Sequence, residues 1–346
     1  MRRSLLALLI AAAACGGSPK STTPPPTLPD DKPAEPTKAE PIKTAETPKE
    51  PPIPQGPIDI PIPDHPVEVK LVSAGKGKKA KLVLSPKAGA KQSTELALDL
   101  KGGQDGPPET GGKVEQVSPT AVITADVETQ AVSASGELTF QMTFSGIAIK
   151  DREGQQVSSA DFKTQMDSLL GATLSGTVAS NGQLKAAKLR IEKPTKLTIG
   201  GLQFLALSML PIWPVLPTEA VGPGAKWTVT SAEKVMDKVD ITKTVTYELV
   251  GKKGAIWSIK GTTAITGKDQ TLQTENGPTT IGNIAGDGNH EVSLSDGVLI
   301  PTFKQNMATK FTISADISDP TATPGKPQVV VLKIYLDRGN TLTPKT

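Results

Sequence analysis

From residue 67 to the C-terminus the chain is written in runs of period two, and that pattern leaves few folds open. Alternation of apolar and polar residues sends successive side chains to opposite faces of a strand. Glu95-Leu96-Ala97-Leu98-Asp99-Leu100 and Ala121-Val122-Ile123-Thr124 show it, as do 138–144, 226–230, 244–249, 255–259 and 329–335. Strands with one face for a core and one for water suit an antiparallel sheet. Ser180-Asn181-Gly182-Gln183 and Ser295-Asp296-Gly297-Val298 each separate two such runs. Asn-Gly and Asp-Gly accept positive φ at both centres of a tight turn, so each is expected to close a hairpin. The chain has 1 cysteine, so no internal disulfide can staple the fold and the core must hold it alone.

Two short helices are expected among the strands. Ser159 is placed to cap a helix over 159–170, where Phe162, Met166, Leu169 and Leu170 recur at helical spacing and Gly171 can end it. Asp161 suits the positive end of its dipole. The second covers 202–210, with Phe204, Leu205, Leu207, Met209 and Leu210, and is stopped by Pro211 and Pro214. It is apolar nearly all round, so it should be enclosed on most sides.

The folded part also repeats a pair of anchors. Pro86-Lys87-Ala88-Gly89-Ala90-Lys91 opens one strand-rich stretch and Val221-Gly222-Pro223-Gly224-Ala225-Lys226 opens another. Each stretch later reaches its Ser-Asn-Gly or Ser-Asp-Gly turn, followed by Leu184 or Leu299. This reads either as two related β modules, 67–216 and 217–346, or as chance similarity between glycine-rich turns.

The N-terminus is of another kind. Met1-Arg2-Arg3, an apolar run from Leu5 to Ala14 and the small residues Ala12-Ala13-Ala14 describe a secretory signal over 1–14. The apolar run is about ten residues, where a bilayer span needs about 20. Cys15 follows the alanines directly, ahead of Gly16-Gly17-Ser18. This junction resembles the lipobox of bacterial lipoproteins, whose signal is cut before a cysteine that then carries diacylglycerol and often an N-acyl chain such as palmitate. A lipid anchor at Cys15 is therefore expected; an ordinary signal peptide leaving a free thiol is the alternative. Two or three acyl chains satisfy the need of stable anchoring for more than one signal. Gly16 is not the aspartate associated with inner-membrane retention in enteric bacteria, so the resemblance points to the outer membrane of a cell with two membranes.

Over 15–66 proline, lysine, glutamate and threonine dominate, and apolar side chains are almost absent before Ile53. Nothing there offsets the entropy of ordering, so a disordered, partly polyproline tether is expected. At about 3.1 Å per residue it would reach on the order of 150 Å. It is read as a spacer in preference to a proline-rich docking motif. Ile58-Asp59-Ile60-Pro61-Ile62-Pro63 alternates and is expected to lie on the domain as an edge strand, with His65 at the junction.

The lipobox, the tether, the Asn-Gly hairpin and the segments 210–214 and 224–227 resemble a family of uncharacterised bacterial lipoproteins. That resemblance implies a curved antiparallel sheet wrapped over helices, similar to the half-barrels of lipoprotein carriers and lipid-binding lipoproteins. The family has no established catalytic residues to carry over.

Chemistry is sparse. There are 2 histidines, His65 and His290, and no GxSxG elbow. His290 follows Gly286-Asp287-Gly288-Asn289 and reads as a solvated histidine at the start of a strand rather than a general base. Asp287, Asn289 and Glu291 alternate like the opening of a calcium loop, but the twelve-residue pattern is not completed; a glycine-rich turn explains the same letters. No histidine pair is spaced for zinc, and no metal or other cofactor is expected. The stretch 261–268 has one residue too many for a phosphate loop, and Asp269 replaces the hydroxyl residue; it reads as a strand entering a turn. Lys76, Lys78, Lys79 and Lys81 form a basic cluster without interleaved aromatics in a chain of net charge +3, which argues against nucleic acid. The cluster reads as a flexible, solvated loop, with contact to anionic head groups or an acidic polymer as the alternative.

The expected function is that of a non-enzymatic, membrane-anchored envelope lipoprotein. Phe204, Leu205, Met209 and Trp213 would line a site for an apolar or amphiphilic ligand if a curved sheet closes incompletely over them. If it closes fully they are core, and the protein is a structural or protein-interaction module of the envelope.

Overall fold

The computed structural model describes residues 56–62, 64, 66–108, 111–194, 212–235, 238–274, 277–316 and 329–345. Cys15, most of the tether, His65 and the helix expected over 202–210, with Phe204, Leu205 and Met209, lie outside the described residues.

The strands are β1 (Ile58–Ile62), β2 (Val67–Ser73), β3 (Lys91–Asp105), β4 (Val114–Val117), β5 (Thr120–Val132), β6 (Leu138–Lys150), β7 (Thr173–Val178) and β8 (Leu184–Ile191). They continue as β9 (Lys226–Val235), β10 (Val239–Lys253), β11 (Ile256–Thr266), β12 (Gln270–Thr274), β13 (Gly277–Ser295), β14 (Thr302–Asp316) and β15 (Val329–Pro344). Apart from Ala255, each alternating run of the sequence lies in a strand, and burial largely follows the alternation: Ala121, Ile123, Ala125, Val127 and Thr129 of β5 are all buried, with Val122 buried on the other phase. Among the described residues one α-helix, α1 (Ser159–Met166), interrupts them and tightens into a 3-10 turn over Asp167–Leu169. Its cap is Ser158, one residue before the expected Ser159: the Ser158 hydroxyl accepts from the Asp161 N–H at 3.1 Å and donates to the Asp161 carboxylate at 2.7 Å. Gly171, at φ +81°, ends the segment as expected.

All fifteen strands form one antiparallel sheet, in the order β1-β8-β7-β6-β5-β3-β15-β14-β13-β11-β10-β9-β2, with β4 on β3 and β12 on β13. Its two edges, β1 and β2, are consecutive in the chain. β1 lies along β8, from Ile58 opposite Ile191 to Ile62 opposite Ala187. β2 lies along β9, from Val67 opposite Ser231 to Ser73 opposite Lys226. Four residues join them, so the edges approach to within about 18 Å at that point. The sheet therefore curls until one descending segment serves both edges, without being closed by hydrogen bonds. Glycines on inward positions let it curl: a Cβ on Gly261 would stand 3.0 Å from the Tyr247 ring, and one on Gly288 2.7 Å from the Asn306 carbonyl.

One large core occupies the concave side and draws on both stretches, from Leu96, Ile123, Phe140 and Phe144 to Trp227, Leu249, Phe303 and Leu342. A smaller cluster, Val239, Ile265, Ile281, Ile284 and Met307, lies under the second stretch.

The two anchors fold alike. Gly89 and Gly224 adopt φ of +79° and +78°. The Gly89 N–H donates to the Thr129 carbonyl and the Thr129 N–H to the Ala90 carbonyl; Gly224, Leu249 and Ala225 repeat the same pair of bonds. Lys91 then pairs with Glu128 and Lys226 with Glu248. Thr129 and Leu249 each immediately precede a bulge in the next hairpin.

The turn chemistry differs from expectation. Asn181 and Asp296 do not have positive φ; only the glycines, Gly182 at +86° and Gly297 at +79°, do. The 180–183 hairpin is a turn closed by Gly182 N–H to the Ala179 carbonyl at 2.8 Å, with glycine in the left-handed position. Asn181 instead accepts on its side chain from the Gln183 N–H at 3.2 Å. After Ser295 the chain makes a longer loop over 296–301 that buries Leu299 and Ile300. A two-residue connection, Gly254-Ala255 between Lys253 and Ile256, has φ +60° at its glycine.

Candidate functional site

Of the four residues expected to line an apolar site, Trp213 is described, and it is packed. It is 4% exposed, its ring centroid is 5.1 Å from that of Phe140, and its Nε1–H donates to the Leu299 carbonyl at 3.0 Å. Two straps cross this end of the sheet and meet the 180–183 hairpin: the Leu84 N–H donates to the Ser180 carbonyl and the Leu216 N–H to the Asn181 carbonyl, both at 2.7 Å. The Trp227 Nε1–H ties to the Val215 carbonyl at 2.8 Å. Each buried indole finds a backbone acceptor, as a buried tryptophan requires.

Above this apolar layer the register brings polar side chains inward. Tyr247, Gly261, His290, Gln305 and Asn340 lie opposite one another in turn across β10, β11, β13, β14 and β15; Val245, Thr263, Gly288, Met307 and Arg338 form the next row. His290 is 3% exposed and lies inside β13, not at a solvated strand end. The expected glycine-rich turn over 286–291 is likewise unbroken strand. Pairing with β11 on one side and β14 on the other overrides the local turn preference of Asp-Gly-Asn.

His290 Nε2 is hydrogen-bonded to the Thr263 hydroxyl, and Nδ1 has no partner among the described residues. Its ring stands 6.2 Å from Tyr247 and 5.7 Å from Phe303. Burial, with Lys243 and Arg338 nearby, depresses its pKa to about 4, so the imidazole is neutral at pH 7. Arg338 is itself pushed down to about 10 by burial, partly offset by Glu233. Glu233 accepts from the Ser231 hydroxyl at 2.7 Å and pairs with Lys243 at 3.6 Å. The hydroxyl and imidazole have the contact a nucleophile and base need, but both are sealed from solvent and the charges beside the ring are cations rather than an orienting carboxylate. Sequence inspection missed Lys243 and Arg338; the signal was a charged residue falling in the apolar phase of an alternating strand.

On the outer face, Lys91, Ser93, Asp126, Glu128, Gln141 and Thr143 line a shallow groove of about 370 Å³. Hydrogen bonds from Ser145 and then Ser93 hold Asp126 below the usual carboxylate range. Asp287, Asn289 and Glu291 point outward along β13, too spread along an extended strand to wrap a cation. Among the described residues no three His, Cys, Asp or Glu side chains are grouped to hold a metal. The stretch 261–268 is strand β11 leaving through Gly267, whose N–H reaches the Ile284 carbonyl at 3.3 Å.

The basic stretch is not a free loop. The Lys76 N–H donates to the Pro223 carbonyl, and Ala80 and Val221 exchange both backbone bonds, each at 2.9 Å. No helix of the described residues is long and apolar enough to cross a membrane, which says nothing about strands. Comparison with protein-family models and with curated proteins found no match.

Proposed function

We propose that the protein is a non-enzymatic lipoprotein of the cell envelope, anchored through Cys15 and most readily the outer membrane, whose folded part works as a rigid interaction module. The observation that carries this reading is the packed concave side. Leu249, Ile259, Val292, Phe303 and Leu342 form one buried row, and Trp213 and Phe140 fill the strap end. Among the described residues, a sheet filled in this way offers a partner its edges, loops and outer faces. The basic start, apolar run, small residues and Cys15-Gly16-Gly17 junction support the anchor. The apolar-ligand reading rests on Phe204, Leu205 and Met209, outside the described residues, and Trp213 gives it no open wall.

Mass spectrometry of an organic extract of the purified full chain tests the module reading. The expected result is no lipid in stoichiometric amount apart from the chains on Cys15. A stoichiometric second lipid would replace the module with a carrier.

A further inference from the structure

The four lysines of the basic stretch have no role in the core, yet the fold fixes their backbone. Gly75 (φ +73°) and Gly222 are in backbone contact: a Cβ on either would stand 2.2 Å from a carbonyl oxygen, of Gly222 and of Lys76 respectively. The side chains of Lys76, Lys78, Lys79 and Lys81 are exposed, and none has an ion-pair partner among the described residues. Two acids at this rim are already occupied, Glu248 by Lys226 at 3.4 Å and Asp296 by Lys252 at 3.5 Å. Glu219, exposed on the adjoining strap, is the nearest in sequence of the remaining acids to Val221 and Gly222. The rim is therefore positive.

Three large apolar side chains project from the same rim: Val72 is 61% exposed, Val250 49% and Ile256 44%. Val72 sits at the β2 irregularity between Leu71, opposite Trp227, and Ser73, opposite Lys226. Val250 sits at the β10 bulge after Leu249, whose N–H donates to the Ala225 carbonyl. Ile256 faces Lys253 across the Gly254-Ala255 turn. A bulge residue lacks a cross-strand partner, so nothing in the sheet requires Val72 or Val250 to be apolar.

We propose that this rim docks on an anionic phospholipid bilayer, with the lysines at the head-group phosphates and Val72, Val250 and Ile256 among the first methylenes. An acidic polymer would account for the lysines and leave the three apolar side chains in water; a bilayer surface accounts for both. The envelope placement proposed above supplies the membrane. Residues 16–57, at about 3.1 Å each when extended, reach on the order of 130 Å, more than the roughly 50 Å of a sixteen-residue strand. A chain held at Cys15 can thus lay the rim on the bilayer that anchors it, although its tether enters at Ile58, at the other end of β8 from the 180–183 hairpin.

The test is co-sedimentation of the chain from residue 15 onward carrying Cys15→Ser, so that neither an acyl chain nor the signal over 1–14 contributes, with vesicles of phosphatidylcholine alone or mixed with phosphatidylglycerol. Binding to the mixed vesicles should be at least about tenfold tighter at low salt, and the difference should vanish at high salt. Lys76→Gln/Lys78→Gln/Lys79→Gln/Lys81→Gln should abolish that difference, whereas Lys304→Gln/Lys310→Gln, on the outer face of β14, should keep it. Val72→Ser/Val250→Ser/Ile256→Ser should weaken binding while leaving its salt dependence. Equal binding to both vesicle types, an unaltered lysine variant, or binding to isolated cell-wall polymer but not to vesicles would each overturn the proposal. Because Cys15 is replaced in every sample, such a failure leaves the anchor to be judged separately by acyl labelling.

Discussion

Thr263 and His290 are hydrogen-bonded to each other between β11 and β13, 4% and 3% exposed, in the middle of a sheet whose sequence marks neither residue as interior. The imidazole has Tyr247 and Phe303 beside it and the cations Lys243 and Arg338 near it. Burial first, then Lys243 and Arg338, disfavour the protonated ring.

Stability should therefore fall in mild acid. The folded-state pKa of His290 is about 4, below the roughly 6.5 of an unfolded histidine. Between these values the unfolded chain binds the extra proton, so stability falls as pH drops through this window and His290 adds nothing further below it. The loss from this one group is on the order of 3 kcal/mol. Urea midpoints at several pH values should show it, and His290→Gln should remove most of that slope. An unchanged slope in the variant would assign the acid sensitivity elsewhere.

Gly89→Ala and Gly224→Ala should destabilise by similar amounts, about 1–2 kcal/mol each. Both glycines have positive φ, and a Cβ added to either would meet nothing within 4 Å, so the cost is backbone conformation alone. Unequal losses in chemical denaturation would show that the two anchors are not energetically equivalent.

Trp213 should separate packing from hydrogen bonding. Trp213→Phe keeps a ring against Phe140 but leaves the Leu299 carbonyl without its donor, a loss of about 1–3 kcal/mol. Trp213→Ala also opens a cavity and should cost about 3–5 kcal/mol. Thermal melts of both variants measure this; an alanine variant as stable as the phenylalanine one would mean that the strap end is loosely packed.

Cys15→Ser should abolish incorporation of labelled palmitate and release the protein from the membrane fraction when salt is raised. Retained label would place the acyl chain elsewhere, and the anchor reading would fail.

Much of this molecule was legible residue by residue. Alternation at 95–100, 138–144 or 244–249 is a local property, and every such run is a strand because burying one face of a pleated chain needs no distant information. The helix at 159–166 was legible for the same reason, and its cap missed by one residue because Ser158 and Ser159 offer the same hydroxyl. At 286–291 the local signal misled, since glycine, aspartate and asparagine favour turns while two flanking strands supplied every backbone partner of a sheet.

Strand positions, the glycines that reverse the chain and the signal-like start are thus written in short stretches of residues. Which strands lie side by side, the folding of β1 and β2 into one segment serving both edges, the burial of Thr263 and His290 and the placing of Arg338 beside them were settled only in three dimensions. Pairing between strands far apart in the chain is decided by the combined burial of the whole sheet, and no local window contains that sum.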